Sequence, residues 1–159
     1  MSKPRARQTE LRGVSGYETS IPRCIVAAGL VIVGIVWIIV YINLAMDAAN
    51  YDKASGLPAP SNPLPLMADL GDWNFAIGFG LIFLGLIVSA NKKTPMGRGR
   101  GVVIGMLGCF LIGLVWICTY YIFSNDTSAI PVMNDLGQYN LLVGIAFMAV
   151  GFTFATRWE

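Results

Sequence analysis

Residues 24–46 read CIVAAGLVIVGIVWIIVYINLAM, a run without one charged side chain. As a helix rising 1.5 Å per residue it is about 35 Å long, enough to cross a bilayer core with some tilt. A signal-peptide core is shorter, and a long basic segment precedes this run, so it reads as a retained helix and not a cleaved leader. Three further uncharged runs follow at residues 73–91, 102–123 and 139–156. The last is the shortest and contains Gly144, Gly151 and Thr153. All are apolar on every side, so periodicity assigns no faces.

Composition agrees with that reading. The chain is 55% hydrophobic and 13% charged with a mean hydropathy of +0.64, where a soluble domain carries about 25% charged residues. A core of this size cannot hide so much apolar surface from water, so lipid or other helices must cover it.

The charges set an orientation. Lys3, Arg5, Arg7, Arg12 and Arg23 precede the first run, Lys92, Lys93, Arg98 and Arg100 separate the second from the third, and Arg157 follows the fourth. The other two loops hold Lys53 alone against Asp47, Asp52, Asp69, Asp72, Asp126 and Asp135. Loops rich in Lys and Arg stay in the cytoplasm. The expected fold is an all-α membrane protein: four transmembrane helices, with N- and C-termini cytoplasmic. Segment 1–23 is polar and basic and reads as disordered or loosely held at the membrane surface. The outer loop 47–72 carries Pro58, Pro60, Pro63 and Pro65, which favours extended, partly stiff chain. It reads as an external linker, with a proline-recognition segment as the alternative.

The chain also repeats itself. GIVWIIVY (Gly34–Tyr41) matches GLVWICTY (Gly113–Tyr120), and Gly29, Gly34, Trp37 and Tyr41 recur as Gly108, Gly113, Trp116 and Tyr120 at an offset of 79. PLMADLGDWN (Pro65–Asn74) matches PVMNDLGQYN (Pro131–Asn140) at an offset of 66, and Gly78 and Gly85 recur as Gly144 and Gly151. The organisation is therefore a tail (1–23), a two-helix repeat (24–91), a basic linker (92–101) and a second repeat (102–159) whose outer loop, 124–138, is shorter. A unit of two spans ends on the side where it began, so the second copy enters in the same direction. The copies are parallel tandem helical hairpins related by an axis along the membrane normal.

The recurring residues suggest helix contacts. Gly29, Gly34, Gly101, Gly105 and Gly108, with Gly113, Gly78, Gly85, Gly144 and Gly151, let backbones approach closely, and Gly101-x-x-x-Gly105 has the spacing typical of helix pairs. Packing within the chain and docking of another membrane helix both fit. Trp37 and Tyr41 share a face, as do Trp116 and Tyr120. Trp37 lies too deep for an interfacial belt and is expected to face a helix, its indole N–H seeking an acceptor. Trp73, Tyr139 and Trp158 fit the two aromatic belts. Arg5, Arg7, Arg12, Arg23, Lys92, Lys93, Arg98 and Arg100 form a cytoplasmic basic surface. It either sets topology alone or also binds anionic lipid head groups or a partner.

Little here serves catalysis. The chain has no histidine, the commonest general base and metal ligand. Cys24, Cys109 and Cys118 have no metal or redox spacing and read as apolar packing, the latter pair on opposite helix faces. Asp69 and Asp135 recur before Leu-Gly and read as helix caps or turns. No cofactor, metal or nucleic acid is expected. A small four-helix transporter or channel is the rival class, but such a pump usually needs an intramembrane carboxylate, and the four runs hold only Asn43, Asn74, Ser89, Thr119 and Thr153 as notable polar groups.

The order of these phrases resembles the CrgA family of actinobacterial cell-division membrane proteins over about residues 29–159. The marks are Gly34–Trp37 and Gly113–Trp116, then Leu70–Asn74 and Leu136–Asn140, then Arg157 and Trp158, with Lys93-Thr94-Pro95-Met96 similar to the family's basic leader. The typical member is about half as long, with one hairpin, so this chain looks like a fused duplicate. It departs where Asn91-Lys92-Lys93 stands for the Arg-Trp ending of the first copy, and at Gln138-Tyr139. The resemblance implies a non-enzymatic septal scaffold or regulator that contacts the tubulin-like ring protein FtsZ and the septal peptidoglycan synthase FtsI.

Overall fold

The computed structural model describes residues 19–124 and 130–156. Their regular structure is helical. Four main helices are α1 (Ile21–Leu44), α4 (Trp73–Ser89), α5 (Arg100–Ile122) and α7 (Tyr139–Ala155). Three short ones are α2 (Met46–Ala49), α3 (Pro65–Leu70) and α6 (Pro131–Leu136). The helix expected from residue 24 begins earlier, at Ile21, with Pro22 in its first turn. There the missing N–H costs nothing and the fixed φ suits a helix.

α1 packs along α4, α5 along α7, and α4 touches α7, so two antiparallel hairpins stand side by side. Both open the same way. At one end Asn50 Nδ2 donates to Asp135 Oδ2 at 3.4 Å, linking the segment after α1 to α6. At the other, Ser20 N donates to the Lys93 carbonyl at 2.9 Å, joining the start of α1 to the linker.

The hairpins pair long helices with short ones. α1 has 24 residues and α5 has 23, while α4 and α7 have 17 each. Among the described residues, only α1 and α5 are by themselves long and apolar enough to cross a membrane. A 17-residue helix rises about 26 Å, and α3 and α6 precede the two short helices at an elbow. The elbow residues, Gly71 (φ 50°, ψ −131°) and Gly137 (φ 47°, ψ −122°), occupy backbone space that a Cβ makes costly.

The bundle's outside is apolar. Ile25 is 65% exposed, Ile104 66% and Leu142 61%. Such a surface is stable against lipid chains or other apolar helices and not against water, as expected of a membrane-associated protein.

Candidate functional site

Within each hairpin the helices meet on glycine, and the contacts repeat at the sequence offsets. A methyl group on Gly34 would lie 2.6 Å from the Gly78 carbonyl oxygen, and one on Gly113 would lie 2.5 Å from that of Gly144. Gly78 is crowded by Ile38 and Gly144 by the equivalent Ile117. One level inward, Gly85 faces Ala27 and Val31, and Gly151 faces the equivalent Met106 and Phe110. The larger pair in the second hairpin holds the helices further apart. A methyl on Gly151 would find its nearest neighbour at 3.2 Å, against 2.7 Å at Gly85.

Other glycines do not belong to this seam. Gly29 and Gly108 meet nothing within 4 Å. Each is five residues before a seam glycine and so about 140° round the helix from it. Gly101 abuts the backbone of Pro95 and Met96 in the linker, and Gly105 the Phe154 ring. Among the described residues, the Gly101-x-x-x-Gly105 pair therefore meets the linker backbone and a phenylalanine ring, not the backbone of another main helix.

Aromatic rings join the hairpins. Phe83 meets Phe147 edge to face at 4.9 Å, and Phe79 meets Trp116 at 5.6 Å. Trp37 and Trp116 are half-buried against the same central cluster. Both do face helices, but neither indole N–H finds an acceptor. Tyr41 is fully buried and stands edge-on to Phe75 at 5.2 Å. Its counterpart Tyr120 is half-buried beside Tyr121. The difference lies in what covers Tyr41: Ala45, Met67 and Leu136 share its cluster.

Two asparagines brace the elbows. Asn74 Nδ2 donates to the carbonyls of Met67 at 2.7 Å and Gly71 at 2.8 Å, and Asn140 does the same to Met133 at 2.7 Å and Gly137 at 2.8 Å. Both residues are fully buried. Their amides tie carbonyls at the ends of α3 and α6 to the start of the next helix, and the Gly71 and Gly137 carbonyls also accept from the backbone N–H of Asn74 and Asn140. Asp69 and Asp135, expected as helix caps or turn residues, sit in the last turns of α3 and α6 just before the elbows and cap neither α4 nor α7. The N-cap positions of α4 and α7 are Asp72 and Gln138, and neither side chain makes a cap bond. The polar Asn that opens two apolar runs in the same phrase was the available signal for this brace.

The basic linker is a folded unit. Thr94 is buried, with its hydroxyl against the carbonyls of Ser89 and Asn91, and it accepts from Gly97 N at 3.2 Å. Arg23 Nη1 donates to Asn91 Oδ1 at 2.9 Å, and Arg98 Nη2 to Thr19 Oγ1 at 2.6 Å. Among the described residues, Arg23, Lys92, Lys93, Arg98 and Arg100 lie at this end with no acidic residue, while Asp47, Asp52, Asp69, Asp72 and Asp135 lie at the other. Arg5, Arg7, Arg12, Arg157 and Trp158 fall outside the described residues.

Several polar groups in the main helices turn back on their own backbones. Asn43 donates to Ile39, Ser89 to Leu86, Thr119 to Val115 and Thr153 to Val150, each carbonyl oxygen at 2.7 Å. Among the described residues no group of His, Cys, Asp or Glu could hold a metal ion.

The family model described as "Cell division protein CrgA" matches residues 2–93 and again 89–159. Curated relatives bear the same description. The one from Corynebacterium glutamicum is 34% identical over 92 residues, covering 58% of this chain and 83% of the relative. That from Mycobacterium tuberculosis is 38% identical over 80 residues, 45% of this chain and 86% of the relative. The relative from Streptomyces avermitilis is 39% identical over 54 residues, 34% of this chain and 60% of its own length. No solved structure matches.

Proposed function

This chain belongs, in both of its halves, to the CrgA family of cell division proteins, and on that premise we propose that it is a non-enzymatic membrane scaffold acting at the division septum. In this reading all four main helices cross the membrane. The basic end and both termini face the cytoplasm, and the acidic loops face outward. α4 and α7 reach the outer surface with the help of α3 and α6. Trp73 and Tyr139, 72% and 70% exposed at equivalent positions, sit in the outer aromatic belt.

The double family match carries the division role. The bundle adds the reason to favour a scaffold over a pump. Asn43, Ser89, Thr119 and Thr153 donate to carbonyls of their own helices, and the four runs hold no carboxylate of the kind a coupled pump usually needs. What the surface offers instead is apolar helix faces and a cationic end. The former suit the membrane helices of a peptidoglycan-synthesis protein of the FtsI type, while contact with a ring protein of the FtsZ type falls to the cytoplasmic end. The latter suits anionic lipid head groups.

Deleting the protein tests this. Altered septum placement or cell length, with recovery of septal synthase or ring components by a bait made from the full chain, supports the reading. Normal division together with loss of a solute-export activity replaces it with transport.

A further inference from the structure

The two hairpins enclose a groove that a single hairpin cannot make. It measures about 690 Å³ and runs between α4 and α7 at the end that carries the acidic residues. Its walls are apolar, with Phe79, Phe83 and Leu142 among them, and Asp72, Asp135, Trp73 and Tyr139 stand at its outer end. Ala76, Gly80 and Ala146 also line it.

Gly80 differs from the seam glycines. Gly34, Gly78, Gly85, Gly113 and Gly144 are each closed off by a neighbour in the chain, whereas a methyl on Gly80 would meet nothing within 4 Å. Ala76 and Gly80 are four residues apart, the spacing of small residues that lets a second helix backbone come close. The charges narrow the choice further. Two carboxylates at the rim oppose anionic groups and attract a cation. Lys53 is the one basic residue described on the loops of that end.

We propose that this groove is a docking site for one membrane-spanning helix of a partner protein, carrying Lys or Arg just beyond its outer end. The apolar part lies on Ala76, Gly80 and Ala146, and the basic flank reaches Asp72 and Asp135. The proposal rests on the membrane-scaffold reading above and adds to it the surface and the chemistry of the partner. An anionic flank is disfavoured by the same carboxylates.

The probe is a synthetic Leu-Ala helix of membrane-spanning length with two lysines at one end, and a twin with glutamines in their place. Energy transfer to the labelled full chain is measured in phosphatidylcholine–phosphatidylglycerol vesicles. The lysine helix is expected to bind about fivefold more tightly than the glutamine twin, the size of two partly exposed ion pairs. The double variant Asp72→Asn, Asp135→Asn is expected to erase that preference. Gly80→Leu, whose Cβ would meet nothing within 4 Å and whose side chain would occupy the groove, is expected to abolish binding of both helices. Equal binding of the two helices to the parent chain overturns the proposal. So does unchanged binding by Gly80→Leu. If Gly80→Leu instead abolishes self-association of the chain, or releases a co-purifying lipid, a second copy or a lipid is the occupant and the proposal falls. These results leave the division reading standing, since that is tested by deletion and by imaging and not by helix binding.

Discussion

Gly34 faces the carbonyl oxygen of Gly78 so closely that a single added methyl would sit 2.6 Å from it. The same relationship recurs between Gly113 and Gly144 at 2.5 Å. The backbones of each hairpin are therefore in near contact, and in lipid such packing, not hydrophobic exclusion, holds helices together.

Changing Gly34 or Gly113 to Ala should destabilise the bundle by about 1–3 kcal/mol, as overpacking in a close-packed interior does. Gly29→Ala and Gly108→Ala should be neutral or stabilising by up to about 1 kcal/mol, because they gain helix propensity without a clash. Gly85→Ala should cost more than Gly151→Ala, since the nearest neighbour of an added methyl lies at 2.7 Å in the first case and 3.2 Å in the second. Unfolding from mixed micelles, followed by circular dichroism, ranks the variants. Equal effects at Gly29 and Gly34 would remove the seam from the account.

Replacing Asn74 with Leu should destabilise the chain by about 1–3 kcal/mol, because two carbonyls lose a buried donor. Asn140→Leu should match it, since its two bonds are the same length. Asn43→Leu is the control. Its amide is exposed and bonds only its own helix, so it should change stability by under about 0.5 kcal/mol. The same unfolding measurement applies, and parity between Asn43 and Asn74 would show that the elbow brace contributes nothing.

The repeat was fully legible in the sequence, because two offsets of 79 and 66 aligned residues whose contacts also repeat. Helix bounds were legible to within about three residues, as expected for long apolar runs. Which glycines form the seam was not. Helices apolar on every side have no polar face to mark the opposite one, so Gly29 and Gly34 look alike until the partner helix is placed. The elbows were missed for another reason. Asp69 and Asp135 occupy plausible cap positions in one dimension, and only the positive φ of Gly71 and Gly137 turns the chain so that Asn74 and Asn140 reach back instead. The linker's charge was plain, but its fold depends on Thr94 and Gly97 meeting the end of α4, which no local pattern announces.

Orientation is open to a direct check. A reporter active only outside the cytoplasm should give signal when fused at Ser61 or Ser128 and be silent at Pro95 or after Glu159. Signal after Glu159 would mean an odd number of crossings and would take α7 out of the membrane.

The central claim is that this chain works at the septum as a membrane scaffold. Time-lapse imaging of a fluorescently tagged full chain in an actinobacterial cell tests it most directly. Enrichment at the division site before constriction is visible, above the signal of the lateral membrane, is the expected result. A uniform membrane distribution through the whole division cycle, in cells whose length is unchanged by deletion, would contradict it.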